Sequence, residues 1–235
     1  MRILTIVPVF NEEKAIQLVI DDLKKNFPQA DIIIVNDGSR DNSSAIARQN
    51  KGIKIIDLPT NLGIGGSVQT GFKYALKNNY DIAIQFDGDG QHLAKEIHNL
   101  IQPIINKKAD VVIGSRFLKP SQRGFRCRWT RRIGIKIFEW INSLIIQQRI
   151  TDNTSGFRAY NKEAIRFLAY NYPTDYPEPE AVILLGRNRF KIKEVPVEMK
   201  ERSHGKSSIS GLKSIYYMIK VILCIIMTAL RYRER

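Results

Sequence analysis

The chain contains the stretch Ile82-Ala83-Ile84-Gln85-Phe86, followed at once by Asp87-Gly88-Asp89-Gly90-Gln91-His92. A short apolar run of this kind predicts a buried strand, so the two carboxylates would emerge together where the strand ends. Open α/β sheets bind ligands at the carboxyl ends of their strands, and Mg²⁺ or Mn²⁺ prefers carboxylate and phosphate oxygens. The stretch therefore predicts a divalent-cation site, or else a surface turn in which Asp and Gly supply only the backbone geometry.

Strand and helix patterns alternate around this stretch up to about residue 115. Such alternation is typical of βαβ units, so we expect an α/β fold with a Rossmann-like, mostly parallel sheet flanked by helices. The predicted strands are 3–9, 32–36, 53–58, 82–86 and 111–114, and the predicted helices are 12–26, 43–49, 66–78 and 95–106.

The composition limits the class of protein. The chain has 235 residues with 43% hydrophobic content, which suits one large α/β domain or one domain with an appendage and argues against disorder. Its two cysteines, Cys127 and Cys224, lie far apart and outside any zinc-type spacing. We therefore expect a reducing, cytoplasmic environment without a disulfide framework.

The net charge of +14 predicts an anionic partner. Residues 119–149 hold eight basic side chains and one acidic side chain, interleaved with Trp and Ile. This mixture favours a helix at a membrane interface over a nucleic-acid-reading face. The alternative is a solvated basic face beside an ordinary core helix.

The C-terminal segment repeats this pattern. Residues 212–230 are mostly apolar, but Lys213 and Lys220 leave an uninterrupted run about half as long as the roughly 20 residues that span a membrane. We expect an amphipathic, membrane-proximal helix in 211–235 after a catalytic domain in 1–210. A helix packed on the core or in an oligomer interface is the alternative.

Three further loops are predicted at the same edge of the sheet. Residues 8–13 and 35–41 place acids and amides after the first two strands, where they would meet a nucleoside; helix capping by Asn11 or Asp41 is the alternative. Residues 61–67 are glycine-rich, so their backbone could approach a ligand at a helix N-terminus. This loop lacks a P-loop lysine and follows the third strand, which disfavours an ATPase or a dinucleotide-binding protein.

Seven motifs in a fixed order resemble family 2 glycosyltransferases of the GT-A fold, over residues 3 to about 210. The last two resemble the branch that contains dolichyl-phosphate mannose synthase and bacterial undecaprenyl-phosphate sugar transferases. The motifs are Pro8-Val9-Phe10-Asn11-Glu12, Asn36-Asp37-Gly38-Ser39, Asn61-Leu62-Gly63-Ile64-Gly65, Asp87-Gly88-Asp89-Gly90-Gln91-His92, Gly114-Ser115-Arg116-Phe117, 152–160 and 202–207.

The resemblance implies a nucleotide-sugar donor and a divalent cation, Mg²⁺ or Mn²⁺. Asp89 would hold the cation against the donor diphosphate, with Asp87 assisting and Gln91 beside it. The residues implied in donor binding are Pro8, Asn11, Glu12, Asp37, Gly63, Asp87, Arg202 and Lys206.

The resemblance also implies a polyprenyl-phosphate acceptor, whose phosphate would be held by Arg116 with Arg131 or Arg132. Such a phosphate is already anionic and needs little help from a general base, and in-line attack would invert the anomeric centre. Catalysis is accordingly assigned to Asp87, Asp89 and Arg116. UDP-sugars are the favoured donors, although the sequence leaves the sugar open.

The chain differs from the family pattern at some positions, and two alternative functions stay open. Asn36 stands where many relatives have Asp, Leu93-Ala94 replaces Pro-Pro, and Glu178 and Glu180 have no assigned role. The absence of a clear pair of spanning helices favours peripheral attachment at the cytoplasmic face, alone, through self-association or with a small membrane partner protein. The alternatives are a family 2 enzyme acting on a saccharide hydroxyl and a non-catalytic nucleotide- or membrane-binding protein.

Overall fold

The computed structural model of the chain describes residues 1–118, 146, 148–200, 220, 223 and 227. Most of the basic-apolar segment and of the C-terminal segment predicted above therefore lies outside the described residues, as does the proposed boundary near residue 210.

The described part of the chain folds as strands that alternate with helices, as the sequence predicted. The strands are β1 (Ile3–Val9), β2 (Asp31–Asn36), β3 (Ile53–Asp57), β4 (Ile82–Gln85), β5 (Val111–Ser115), β6 (Arg158–Asn161) and β7 (Ile192–Pro196). The helices are α1 (Ile16–Asn26), α2 (Ser43–Arg48), α3 (Gly63–Lys77), α4 (Ile97–Ile105), α5 (Lys162–Asn171) and α6 (Pro177–Arg187), with a 3₁₀ turn at Ala94–Glu96 before α4.

These strands form one sheet in the order β3-β2-β1-β4-β6-β5-β7. Strands β1 to β4 pair in parallel, β7 runs parallel to β5, and β6 is antiparallel to both of its neighbours. The predicted α/β class with a mostly parallel sheet is thus confirmed. Strands β6 and β7 were not predicted from the sequence. β6 is only four residues long, and three of them, Arg158, Tyr160 and Asn161, carry polar groups, so its strand state depends on its position between β4 and β5.

Two hydrophobic cores lie on opposite faces of the sheet because successive strand side chains point to opposite sides. On β1, Val7 packs in the core beneath α1 and α4, whereas Leu4 and Ile6 pack in the core beneath α3, α5 and α6. The result is a three-layer sandwich in which the helices cover both faces of the sheet. This arrangement leaves the carboxyl ends of the parallel strands as the open edge.

Two predicted helix starts were wrong. Helix α1 begins at Ile16, not at residue 12, because Asn11 has a φ of 55° and the backbone N–H groups of Ala15 and Ile16 both donate to the Glu12 carbonyl in a turn. Helix α3 begins at Gly63, not at residue 66, so the glycine-rich segment is its first turn rather than a loop. A Cβ atom on Gly65 would lie 2.5 Å from the Pro173 carbonyl oxygen, so this glycine serves helix packing.

We expect Gly71→Ala to destabilise the protein although alanine is the better helix former. Gly71 is buried in α3, and a Cβ atom there would overlap the Ile6 side chain, with Ile6 Cγ1 only 2.9 Å away. Overpacking of this kind costs about 1–3 kcal/mol of unfolding free energy. Urea denaturation measures the loss, and Lys73→Ala on the exposed side of α3 is the control. An equal stability of the two variants would contradict this packing.

Candidate active site

Polar side chains from three parallel strands meet at the open edge of the sheet. Strands β1, β2 and β4 end there, next to the N-terminus of α3. Together they surround a cleft of about 450 Å³. Its lining residues are Pro8, Val9, Phe10, Glu12, Asp37, Asn61, Gly63, Ile64, Ser67, Asp87, Gly88 and Asp89.

The lining includes six of the residues that the sequence analysis assigned to the donor or the metal: Pro8, Glu12, Asp37, Gly63, Asp87 and Asp89. Two others, Asn11 and Gln91, are absent from this lining. The Asn11 side chain accepts a hydrogen bond from Arg40 N at 2.9 Å, and the Gln91 amide nitrogen lies 3.5 Å from the Lys200 carbonyl oxygen. Both contacts hold neighbouring loops together.

Asp41 binds the first residue of α2, although the N-cap residue of that helix is Asn42, whose side chain makes no capping bond. Asp41 Oδ1 accepts hydrogen bonds from Ser43 N at 3.0 Å and from Ser43 Oγ, and its Oδ2 accepts one from Glu13 N at 3.1 Å. Burial raises the pKa of the Asp41 carboxyl, but these hydrogen bonds outweigh it and the pKa is lowered overall. Asp41 therefore ties the loop after β1 to the start of α2.

Asp37 joins the loop after β2 to the first turn of α3. Its buried carboxylate accepts a hydrogen bond from Leu62 N at 2.7 Å, while Asp37 also lines the cleft. Gly63, Ile64 and Ser67 of α3 face the same cleft. The N-terminal end of a helix favours anionic groups because its first backbone N–H groups have no partner within the helix.

The carboxylate of Asp87 has one oxygen bound and one without a partner. Asp87 Oδ2 lies 3.0 Å from His92 Nε2, whereas Oδ1 is buried and has no hydrogen-bond partner among the described residues. Burial raises the pKa of Asp87, but the charge and hydrogen bond of His92, helped by Arg116 and Arg158, outweigh it and lower the pKa overall. The group is therefore an anion at neutral pH with one oxygen unsatisfied.

The donor atoms at this edge fit a divalent cation whose remaining ligands come from a substrate. Asp89 is half-buried in the cleft lining, and its Oδ1 accepts a hydrogen bond from Gln91 N at 3.0 Å. The unsatisfied Asp87 Oδ1 is a second carboxylate oxygen at the same edge. Among the described residues no group of three or more His, Cys, Asp or Glu side chains forms a complete metal-ligand set. Mg²⁺-type sites commonly use one or two carboxylates plus substrate phosphates.

Arg116, at the end of β5, is held by a buried carboxylate. Its Nε and Nη2 donate to the two oxygens of Asp152, both at 2.7 Å, and Nη2 also lies 2.9 Å from Thr154 Oγ1. Asp152 is completely buried, and its backbone N–H donates to Glu194 Oε1 at 2.8 Å. The guanidinium of Arg116 is therefore fixed in orientation by this bidentate ion pair.

Arg158 organises the loop behind Asp87. It lies in the motif at residues 152–160 but was given no role there. The guanidinium of Arg158 is completely buried and donates to the carbonyl oxygens of Asn153 (2.8 Å), Ser155 (2.7 Å) and Glu178 (2.9 Å). It thereby ties residues 153–158 to the first turn of α6. The pKa of the Glu178 carboxyl is raised, chiefly by burial and also by the charge of Asp87, although Arg158 opposes both effects.

Four predicted site residues lie outside the described residues: Arg131, Arg132, Arg202 and Lys206. The described residues that precede Arg202 and Lys206 end at Lys200. Lys200 N donates to the Gln91 carbonyl oxygen at 2.8 Å, and Met199 forms a β-bridge with His92. Residue 200 thus lies directly beside the motif that contains Asp87 and Asp89.

Six lining residues lie in stretches quoted above but were given no role there: Val9, Phe10, Asn61, Ile64, Ser67 and Gly88. Their signal was position alone, because each one lies within four residues of a residue that was assigned. Phe10 and Ile64 are apolar and yet 45% and 41% exposed, which is a mark of a ligand-facing surface that burial patterns in a sequence do not reveal.

A likeness to a solved structure identifies the fold. A glucosyl-3-phosphoglycerate synthase from Mycobacterium tuberculosis, solved with Mn²⁺, UDP-glucose and phosphoglyceric acid, superposes with a TM-score of 0.70 at 17% identity, over 97% of this chain and 79% of that one. The likeness shows the fold. The mostly parallel sheet with a carboxylate pair after β4 is thus a GT-A fold.

The family follows from the sequence matches. The sequence profile of Glycosyl transferase family 2 matches residues 5–168, and the chain belongs to that family. A UDP-N-acetylglucosamine–dolichyl-phosphate N-acetylglucosaminyltransferase from Methanococcus voltae is 33% identical over 91% of this chain and 93% of its own length. An undecaprenyl-phosphate mannosyltransferase from Micrococcus luteus is 30% identical over 90% and 88%. The predicted resemblance to the polyprenyl-phosphate branch is confirmed.

The lengths and apolar character of the helices bear on whether the described residues could span a membrane. No helix in the described part of the chain is both long enough and apolar enough to cross a bilayer.

Proposed function

We propose that this protein transfers a sugar from a nucleotide sugar, with UDP-sugars favoured, to a polyprenyl phosphate at a membrane surface. The observation that carries the proposal is the cleft at the carboxyl edge of the sheet, where Asp37, Asp87 and Asp89 meet the N-terminus of α3. The Methanococcus and Micrococcus relatives, which match nearly the whole chain, are named for polyprenyl-phosphate acceptors.

The donor nucleotide would occupy the cleft with its nucleoside toward β1 and β2 and its diphosphate toward β4. Pro8, Glu12 and Asp37 line the first part, and Asp87 and Asp89 line the second. The volume of about 450 Å³ is within the ordinary range for a small-molecule site. Arg202 and Lys206 are proposed to bind the diphosphate because the chain reaches Lys200 next to Gln91.

A bound Mg²⁺ or Mn²⁺ would neutralise the negative charge that develops on the diphosphate as the glycosidic bond breaks. Asp89 and the unsatisfied Oδ1 of Asp87 are the proposed ligands in the protein. Both carboxylates project from the segment that follows β4, so the backbone of one strand end orients them.

The acceptor phosphate is proposed to bind Arg116, together with Arg131 or Arg132. Asp152 holds the Arg116 guanidinium in one orientation at the end of β5, so little rotamer freedom remains to be lost when an anion binds. A phosphate oxygen needs no deprotonation before it attacks, and direct in-line attack inverts the anomeric configuration. The product is a sugar joined to the lipid through one phosphate.

The experiment is a transfer assay with the full-length protein, Mn²⁺ or Mg²⁺, undecaprenyl phosphate and radiolabelled nucleotide sugars. We expect label from one UDP-sugar in an organic-extractable, acid-labile lipid, with the anomeric configuration inverted when the product is analysed by NMR. Label found only on an added saccharide would instead assign a hydroxyl acceptor. No turnover of any donor would leave a nucleotide- or membrane-binding protein, and either result would overturn the proposal.

A further inference from the structure

The carboxylate of Asp87 is enclosed by two groups, one from its own motif and one distant from it in the sequence. His92 approaches Oδ2 from one side, with Nε2 at 3.0 Å. Gly156 approaches from another side, where a Cβ atom would lie 2.6 Å from Oδ2 and 2.8 Å from Oδ1. Both carboxylate oxygens of Asp87 therefore occupy space that a side chain at position 156 would need.

His92 is itself held in place by aromatic rings. Its side chain is 1% exposed and stacks on Phe157 with ring centroids 4.8 Å apart, while Phe86 meets it edge-on at 5.4 Å. Its Nδ1 atom is buried and has no hydrogen-bond partner in the part of the chain that the structure describes. The polar contact that the imidazole makes is therefore the one to Asp87, and its ring cannot turn without displacing Phe86 or Phe157.

Gly156 is held in place by the loop that Arg158 organises. The arginine binds the carbonyl oxygens of Asn153 and Ser155, which precede Gly156, and that of Glu178 in α6. Gly156 has no left-handed backbone angle, so an alanine would be compatible with its backbone. The obstacle to a side chain at this position is the Asp87 carboxylate.

We propose that His92 and Gly156 are positioning residues that fix the Asp87 carboxylate, so that Oδ2 is bound to the imidazole and Oδ1 is directed to the bound cation. Residues that orient a metal ligand through a hydrogen bond commonly change metal affinity by about 10–100-fold when they are removed. The inference rests on the proposed function, since it assigns these residues to the same donor site.

The first test separates the hydrogen bond from the packing. His92→Phe keeps a ring between Phe86 and Phe157 but removes the donor, whereas His92→Gln keeps a donor nitrogen at the same distance along the side chain. We measure Mn²⁺ affinity by calorimetry at saturating UDP, and UDP affinity in EDTA. For His92→Phe we expect about 10–100-fold weaker Mn²⁺ binding with unchanged UDP affinity in EDTA. For His92→Gln we expect recovery toward the wild-type affinity.

The exposed His98 on α4 provides the matched control, and His98→Gln is expected to bind Mn²⁺ and UDP as the wild type does. Wild-type Mn²⁺ affinity in His92→Phe would overturn the assignment of His92. Equal weakening of UDP binding with and without Mn²⁺ would also overturn it, because it would indicate a general distortion of the cleft.

The second test needs no ligand, so it remains informative if the proposed function fails. Gly156→Ala is introduced into the wild type and into Asp87→Ala, and thermal unfolding is measured for all four proteins. We expect the alanine to lower the melting temperature in the wild type and to have little effect in the Asp87→Ala background, where the carboxylate is absent. Equal effects in both backgrounds would show that Gly156 does not confine Asp87.

Discussion

Asp89→Asn is expected to lower the rate of sugar transfer at least about 100-fold, the usual scale for losing one group that stabilises transition-state charge. Asp89 is half-buried in the cleft lining next to Asp87, where the donor diphosphate is proposed to lie. Asparagine keeps the oxygen that accepts the hydrogen bond from Gln91 N, so the local backbone should not change. What is removed is the negative charge that would bind a cation.

The measurement is the transfer rate in the undecaprenyl-phosphate assay, with chelation of the wild type as a parallel experiment. EDTA should lower wild-type activity to the level of Asp89→Asn and should have little further effect on the variant. Asp21→Asn, on the exposed face of α1, is the matched control and should retain full activity. Full activity in Asp89→Asn would refute the metal-binding role of Asp89.

Arg158→Met is expected to cause the largest loss of stability. Methionine fills part of the space but leaves the carbonyl oxygens of Asn153, Ser155 and Glu178 without their donor. Each buried group left unpaired costs about 1–3 kcal/mol, so the free energy of unfolding should fall by at least about 3 kcal/mol. That is a large share of the 5–15 kcal/mol that is typical of a folded domain.

Urea denaturation monitored by circular dichroism measures this loss. Arg166→Met, an exposed arginine in α5, is the control and should change stability by no more than about 0.5 kcal/mol. If Arg158→Met does not fold, Arg158→Lys provides the measurement, because lysine keeps the charge but lacks the planar fork that reaches three carbonyl groups. Equal urea midpoints for Arg158→Lys and Arg166→Met would contradict the role given to Arg158.

The local sequence patterns predicted most of the first half of the chain. Five apolar runs became β1 to β5 with bounds that differ by one residue or less at each end, because strands buried beneath helices on both faces are continuously hydrophobic. The order of these βα units also placed Asp37 and Asp87 at one edge of the sheet. Parallel strands joined by helices end on the same side, so this juxtaposition needs no knowledge of side-chain contacts.

Helix starts were predicted less well, because several signals at one terminus compete. Residues 12–15 have helical composition, yet the positive φ of Asn11 and the turn at Glu12 delay α1 to Ile16. In α3 the glycines suggested a loop, but the close approach of Gly65 to Pro173 and Thr174 requires a small residue inside a helix. Only the neighbouring segment of the fold reveals that requirement.

By itself, the sequence determined the α/β class, the family and the placement of Asp87 and Asp89 after β4. These depend on hydrophobic periodicity and on motifs that are local in the chain. The tertiary structure decided which groups contact the site residues. Asp152 binds Arg116, His92 and Gly156 enclose Asp87, and Arg158 donates to three carbonyl groups. The contacts of Asp152 with Arg116 and of Gly156 with Asp87 join residues distant in sequence. A buried charge or an unpaired oxygen also depends on the surrounding packing, which no local pattern records.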